Sequence, residues 1–316
     1  MLVIVAPGQG AQTPGFLRPW LELDGAADRL RRWSDVAGLD LVHYGTEATE
    51  EEIKDTAVAQ PLLVAAGLLT ARALFPDESE ARRVVGAVAG HSVGEITAAA
   101  GAGVLDAAGA LTFVRERSLA MAEAAKLTPT GMTALLGGDP ELVAAKLAEH
   151  GLTAANNNGG GQIVAAGTLE QLDALKADPP AGSRVMPLKV AGAFHTEHMA
   201  PGVERLAKLA PTLTVADPQV AYVSNRDGKV IGNGAEVLSR LVSQVSNPVR
   251  WDLCMETLGE LGATAVIELA PAGTLTNLVK RNLKGVATLA LKTPAELDKA
   301  RELVAEHGHG GQEQSA

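Results

Sequence analysis

Short apolar runs that stop at glycine or proline alternate along this chain with longer stretches of helical spacing, and the alternation predicts strands feeding helices. Leu2 to Ala6 is a β-branched run ending at Pro7-Gly8, the pattern of a buried strand entering a glycine turn. Helical spacing follows around residues 16 to 35 and 59 to 75. A second apolar strand, Val84 to Ala89, runs into Gly90-His-Ser-Val-Gly94, and helical spacing resumes at Glu95. A helix over Ala107 to Ala125 stops at the breaker cluster Thr128-Pro129-Thr130-Gly131. Further along, Gln219 to Ser224 and Ala265 to Leu269 read as buried strands with helices between and after them.

From Met132 the pattern changes. Short strands at Met132 to Leu136, Ala154 to Asn156, Gln162 to Ala166 and Arg184 to Pro187 are interleaved with helices at Pro140 to His150 and Leu169 to Ala177. That β-α-β-β-α-β order belongs to a ferredoxin-like unit. The expected organisation is an α/β fold: a large, discontinuous domain of residues 1–127 and 191–316 on a mostly parallel sheet, and a small inserted domain at 128–190. The Gly-rich run Asn156-Asn-Asn-Gly-Gly-Gly161 reads as a hairpin turn, since Asn and Gly supply positive φ angles. The tail after Glu306, HGHGGQEQSA, is expected to be without order, with His307 and His309 solvated rather than metal-bound.

Composition narrows the function classes. With 316 residues, 47% hydrophobic and 20% charged, the chain has apolar material for a sizeable core, and 3% aromatics fits helices on a sheet better than a β-sandwich. A net charge of −10 argues against non-specific nucleic-acid binding, which needs a basic face. The positive charges are grouped, as in Arg29-Leu-Arg31-Arg32, Arg82-Arg83 and Lys280-Arg281-Asn-Leu-Lys284, and a local basic patch still suits an acidic partner. The single cysteine, Cys254, excludes an internal disulfide framework and a cysteine metal cluster, and reads as core filler. The start MLVIVAPGQG carries no charged leader, and no uninterrupted apolar run approaches the ~18 residues of a membrane span, so a cytoplasmic protein without membrane contact is expected, a monomer by default.

Gly90-His91-Ser92-Val93-Gly94 carries the sharpest chemical signal. Between a strand and a helix it is the G-x-S-x-G nucleophile elbow of α/β-hydrolase-like domains: the glycines permit a tight turn, and the following helix aims N–H groups at developing charge. A serine hydroxyl needs a base to take its proton. His43, His91, His150, His195 and His198 are the candidates, and spacing alone does not choose among them, although His195 lies in the small-residue stretch Val190-Ala-Gly-Ala-Phe-His. No aspartate occupies an evident orienting position for a Ser-His-Asp triad, since Asp139, Asp173 and Asp178 fall in the small domain. Gly8-Gln-Gly10-Ala-Gln-Thr13 lacks the third glycine of a dinucleotide fingerprint, and Asn156 to Gly161 lacks the Lys-Ser/Thr ending of a phosphate loop.

Gly8-Gln-Gly-Ala-Gln12, Gly90-His-Ser-Val-Gly-Glu95, Ala193-Phe-His195 and Asn247-Pro-Val-Arg-Trp251, in this order, resemble the signatures of malonyl-CoA:acyl carrier protein transacylases and of the acyltransferase domains of polyketide and fatty acid synthases. The resemblance runs from Pro7 to about Thr276. It implies Ser92 as nucleophile, His195 as general base and then acid, and the backbone N–H groups of Gln9 and Val93 as oxyanion hole. It implies Arg117, within Val114-Arg-Glu-Arg-Ser118, as the residue that binds the free malonyl carboxylate, a task suited to a guanidinium that forms two parallel hydrogen bonds. The alternative for Arg117 is an ion pair with Glu116 or Glu123, or simple solvation. The family holds its histidine with a backbone carbonyl or amide near Gln244-Val-Ser-Asn247, which makes Gln244 and Asn156 candidates for lining the pocket and supporting His195. His91 and Phe194 complete the candidate substrate contacts, Phe194 as a ring near the α-carbon that disfavours a branch methyl. Malonyl-CoA and the phosphopantetheine arm of acyl carrier protein are the implied partners, with no cofactor or metal. A serine esterase or thioesterase using the same elbow, and a carrier-binding scaffold, are the rival readings; Lys280 and Arg281 are candidates for carrier docking.

Overall fold

Eleven strands run through the described residues, 1–308, of a computed structural model: β1 (Leu2–Ala6), β2 (Val85–Gly90), β3 (Thr130–Gly137), β4 (Thr153–Asn157), β5 (Gln162–Thr168), β6 (Ser183–Pro187), β7 (Ala221–Val223), β8 (Val230–Ile231), β9 (Val249–Arg250), β10 (Ala265–Glu268) and β11 (Ala287–Ala290). They form two sheets. The first has the order β11-β10-β1-β2-β7-β8 and is parallel except for the β7–β8 pair. Its middle strands β1 and β10 are buried at every position, as a parallel sheet covered on both faces requires. The second sheet has the order β6-β3-β5-β4-β9, with antiparallel neighbours up to β4 and then a parallel joint of Asn156 and Asn157 to Val249 and Arg250.

The apolar runs at Leu2 and Ala265 lie where their pattern puts them, and β2 is displaced by one residue because Val84 ends the helix Glu78–Val84. The single helix expected over 16 to 35 is instead a 3-10 turn, Arg18–Glu22, and a helix, Ala26–Ala37, separated at Gly25, whose φ of 70° is left-handed. The hairpin expected at Asn156 to Gly161 joins antiparallel β4 and β5, with Gly159, Gly160 and Gly161 all at positive φ. His307 departs from the expected unordered tail: it closes the helix Leu297–His307, with Nδ1 2.8 Å from Thr264 Oγ1. His309 lies outside the described residues. Strands β8, β9 and β11 carry no legible pattern, two being only two residues long and β11 half-buried throughout.

One helix among the described residues, Thr56–Leu74, has the length and hydropathy of a membrane span, a property masked in the sequence by its interspersed Thr, Gln and Arg; most of it is buried inside the protein. It packs against Ala107–Ala124, the helix that carries Arg117 and that starts at Asp106, whose carboxylate accepts from the Gly109 N–H at 2.6 Å.

At the end of β10 the buried carboxylate of Glu268 accepts four backbone N–H groups, from Gly273 at 2.8 Å, Thr274 at 3.2 Å, Leu275 at 2.9 Å and Thr276 at 2.8 Å. These are the donors that the first turn of the helix Leu275–Asn282 leaves unpaired, and an anion is favoured there. Glu268→Ala is therefore expected to lower stability by about 2–4 kcal/mol, read as a shift of the urea midpoint, and a change below about 0.5 kcal/mol would show that water replaces the carboxylate.

Candidate active site

Ser92 sits between the end of β2 and the helix Gly94–Gly101 with φ of 52°, a left-handed conformation costly for a residue with a side chain. Glycines at both ends make this turn possible. A Cβ on Gly90 would lie 2.1 Å from the Gly94 carbonyl oxygen, and one on Gly94 would lie 2.2 Å from the Ala6 carbonyl oxygen. Asn225, just past β7, clamps the turn from below: its Oδ1 accepts from the Ser92 N–H at 2.8 Å and its Nδ2 donates to the Gly90 carbonyl at 2.7 Å.

The Ser92 hydroxyl is 2.7 Å from Nε2 of His195, a residue likewise left-handed, at φ of 62°. Nδ1 of the same ring is 2.9 Å from the Gln244 backbone carbonyl. A carbonyl only accepts, so Nδ1 carries the proton and Nε2 is left bare to accept from Ser92. Burial, the repulsion of the Arg117 charge and, more weakly, His91 hold the His195 pKa down to about 3, so the ring is neutral over the physiological range. Of the other histidines, His150 ends the helix Pro140–Glu149, and His91 points its Nε2 to Asn158 Oδ1 at 2.8 Å with its ring edge-on to Trp251.

Arg117 is 1% exposed and has no carboxylate in contact among the described residues. The alternative partners Glu116 and Glu123 are taken by Arg205, at 2.7 and 3.0 Å. Arg117 instead donates from Nη1 to Gln60 Oε1 at 2.6 Å and from Nη2 to Gln244 Oε1 at 2.7 Å, with Nη2 also 3.4 Å from the Ser92 hydroxyl. Burial pushes its pKa down to about 10, against the attraction of Glu95, so it stays charged at neutral pH. Its buried Nε has no acceptor among the described residues. The backbone N–H groups of Gln9, in the turn after β1, and of Val93, at the helix start, likewise have no protein acceptor among the described residues.

Ser92, His195, Gln9 and Val93 line a cleft of about 400 Å³ together with Gln60, Asn156, Phe194 and Arg281, whereas Arg117 and Gln244 lie behind its wall, in contact with Gln60 and Ser92. Asn156 makes no hydrogen bond to His195 among the described residues; the ring is supported by the Gln244 carbonyl alone of that candidate pair. Cys254 is buried in the apolar core as expected, with its sulfur 3.4 Å from the Ser224 carbonyl and 3.7 Å from Asn225 Nδ2, under the clamp. Gln60, Asn158 and Asn225 were not legible as site residues. Gln60 leaves a faint signal, an amide within the apolar helix Thr56–Leu74, whereas Asn225 stands in the polar run Ser-Asn-Arg-Asp-Gly and looks like any turn residue.

Residues 3–304 match the family model described as "Acyl transferase domain". The chain belongs to the acyl transferase family. This acyl transferase is 51% identical over 308 residues, 96% of its own length and 100% of the relative's, to the malonyl CoA-acyl carrier protein transacylase of Mycobacterium tuberculosis. The crystal structure of MCAT from the same organism superposes with a TM-score of 0.92, covering 95% of this chain and 99% of that one. A malonyl-transacylase solved in complex with a type II PKS acyl-carrier protein superposes with a TM-score of 0.88 at 31% identity, covering 96% and 99%.

Because His195 is neutral when folded, sulfonylation of Ser92 by a neutral sulfonyl fluoride is expected to vary less than about twofold from about pH 8 to pH 5; a midpoint near the ordinary histidine value of about 6.5 would mean a solvated ring. The same depressed value makes the unfolded chain bind the extra proton, so its contribution to stability is present above about pH 6.5 and is lost as pH falls towards 3.

Proposed function

We propose that the chain transfers the malonyl group from malonyl-CoA to the phosphopantetheine thiol of acyl carrier protein through an ester on Ser92. The observation that carries this reading is the convergence on one hydroxyl of a neutral base at 2.7 Å and an unneutralised, buried guanidinium at 3.4 Å. A nucleophile–base pair performs acyl transfer, and the cation beside it selects an acyl group that ends in a carboxylate. The names of the relatives point the same way, and they do not favour an esterase or thioesterase.

Arg117 holds the malonyl carboxylate with N–H groups that its contacts to Gln60 and Gln244 leave over, since a guanidinium carries five donors and its Nε has no acceptor among the described residues. Ser92 Oγ attacks the thioester carbonyl carbon while its proton passes to His195 Nε2. The N–H groups of Gln9 and Val93 receive the charge on the carbonyl oxygen, the carbon–sulfur bond breaks, and the proton on His195 leaves with CoA. In the second half the carrier thiol gives its proton to His195, attacks the ester carbonyl and takes the malonyl group, and Ser92 regains the proton. A carbonyl rather than a carboxylate behind His195 leaves it a weaker base than in a triad, which favours a thiol over water as the second nucleophile.

Two parts of this reading concern architecture. The division into 1–127 with 191–316 and 128–190, with a ferredoxin-like small domain, is supported by the strand order β6-β3-β5-β4 and its two helices, β9 being the strand that the large part lends to the small sheet. The large part's hydrolase-like character is supported by the elbow at the end of β2. A cytoplasmic, monomeric enzyme in fatty acid or polyketide synthesis completes the proposal.

Brief mixing with malonyl-CoA should give a malonyl adduct in the intact-protein mass, absent from Ser92→Ala, reduced at least tenfold in rate in Arg117→Ala, and discharged by phosphopantetheinylated carrier faster than by water. Discharge by water as fast as by the carrier would favour the thioesterase. Phe194 is buried in the cleft wall, and Phe194→Ser is expected to raise the rate with methylmalonyl-CoA relative to malonyl-CoA by about tenfold; an unchanged ratio would leave Phe194 a core ring only.

A further inference from the structure

Among the described residues, Glu95 is the one buried carboxyl that touches the site's supporting groups while facing none of the reacting atoms. It lies in the first turn of the helix Gly94–Gly101, three residues past the nucleophile, and is 1% exposed. Its Oε1 accepts from the Asn225 N–H at 2.8 Å, the same residue whose side chain clamps Ser92. Its Oε2 accepts from Gln244 Nε2. The Tyr222 hydroxyl lies beside the carboxyl without regular hydrogen-bond geometry. Burial holds the Glu95 pKa above the usual carboxylate range, and the donors around it offset this only in part. With an N–H facing each oxygen, the arrangement suits an ionised carboxylate.

We propose that Glu95 is a positioning residue whose carboxylate fixes the side-chain amide of Gln244 with its oxygen towards Arg117, and so sets how the guanidinium presents itself to the malonyl carboxylate. The inference rests on the reading of Arg117 given above. Gln244 Nε2 has two acceptors, Glu95 and the Ser92 carbonyl at 3.0 Å, which leaves Oε1 to face Arg117 Nη2 at 2.7 Å. The reversed amide would set an NH2 against a guanidinium and an oxygen against both a carboxylate and a carbonyl. Glu95 thus reinforces, from the far side of the amide, the orientation that the Ser92 carbonyl and Arg117 also favour. It also places a negative charge one side chain away from Arg117, near enough to support the cation and too far to occupy the fork that the substrate carboxylate needs. A carboxylate at the Gln244 position would sit on that fork and compete.

The test compares Glu95→Gln with Arg117→Ala and the parent, reading KM and kcat for malonyl loading together with the rate of Ser92 sulfonylation by phenylmethylsulfonyl fluoride, a neutral reagent that has no use for Arg117. In Glu95→Gln a second amide meets Gln244 and removes the bias. KM for malonyl-CoA is expected to rise about tenfold, more than kcat falls, while sulfonylation changes less than about twofold. Equal losses in malonyl loading and sulfonylation would overturn the proposal by assigning Glu95 to the elbow in general, and so would an unchanged KM. Arg117→Ala must raise KM at least as much; if it does not, the carboxylate reading of Arg117 fails whatever Glu95→Gln does. Should Glu95→Gln not accumulate as folded protein, Glu95→Asp keeps the charge and withdraws it from Gln244 by one methylene. The same split between KM and sulfonylation is then expected, and its absence overturns the proposal.

Discussion

A guanidinium buried without a carboxylate in contact is expensive, and the interior around Arg117 is arranged to hold it. Gln60 and Gln244 meet two of its nitrogens with amide oxygens, and Glu95 supplies opposite charge at one remove. That scarcity of direct charge leaves the cation electrostatically unsatisfied beside the Ser92 hydroxyl. The same field disfavours protonation of His195, so the guanidinium and the imidazole are coupled electrostatically. Gln244 is the joint between them: its backbone carbonyl holds the imidazole, its amide oxygen holds the guanidinium, and its amide nitrogen holds the Ser92 carbonyl.

The backbone strain is of a piece with this. Ser92 and His195 both adopt left-handed φ, and each is held there by hydrogen bonds to segments far away in sequence, Ser92 by Asn225 and His195 by the Val245 carbonyl. Strain held by the surrounding structure before substrate arrives is strain that need not be generated during the reaction, and it keeps the hydroxyl and the imidazole at hydrogen-bonding distance in the free protein.

How far all this was legible follows from which interactions leave a local trace. Strands β1, β2 and β10 show as apolar runs because both faces are covered, and the elbow shows because only glycine fits at 90 and 94. Arg117 has no local trace, standing in its helix like any surface arginine, and became readable only through the resemblance. The supporting shell was the least accessible. The His195 prop is a backbone carbonyl, which no residue type reports, and Asn225, Glu95 and Gln60 act through partners more than fifty residues distant in sequence. Two-residue β9 escaped for the opposite reason, having too few positions to show any period.

The neighbours of β1 carry one more consequence. Leu2 through Val5 pair on one side with Val85 to Ala89 and on the other with Ala265 to Glu268. During ribosomal synthesis β1 must wait with one edge open until β10 is made, and Gln244 and Val245, which hold His195, also follow His195 by about fifty residues. Ser92, Arg117 and His195 are thus all translated before the segments that hold them together, and a nascent chain stalled between β2 and β10 presents an open strand edge for pairing with its neighbours on the polysome before the site is assembled.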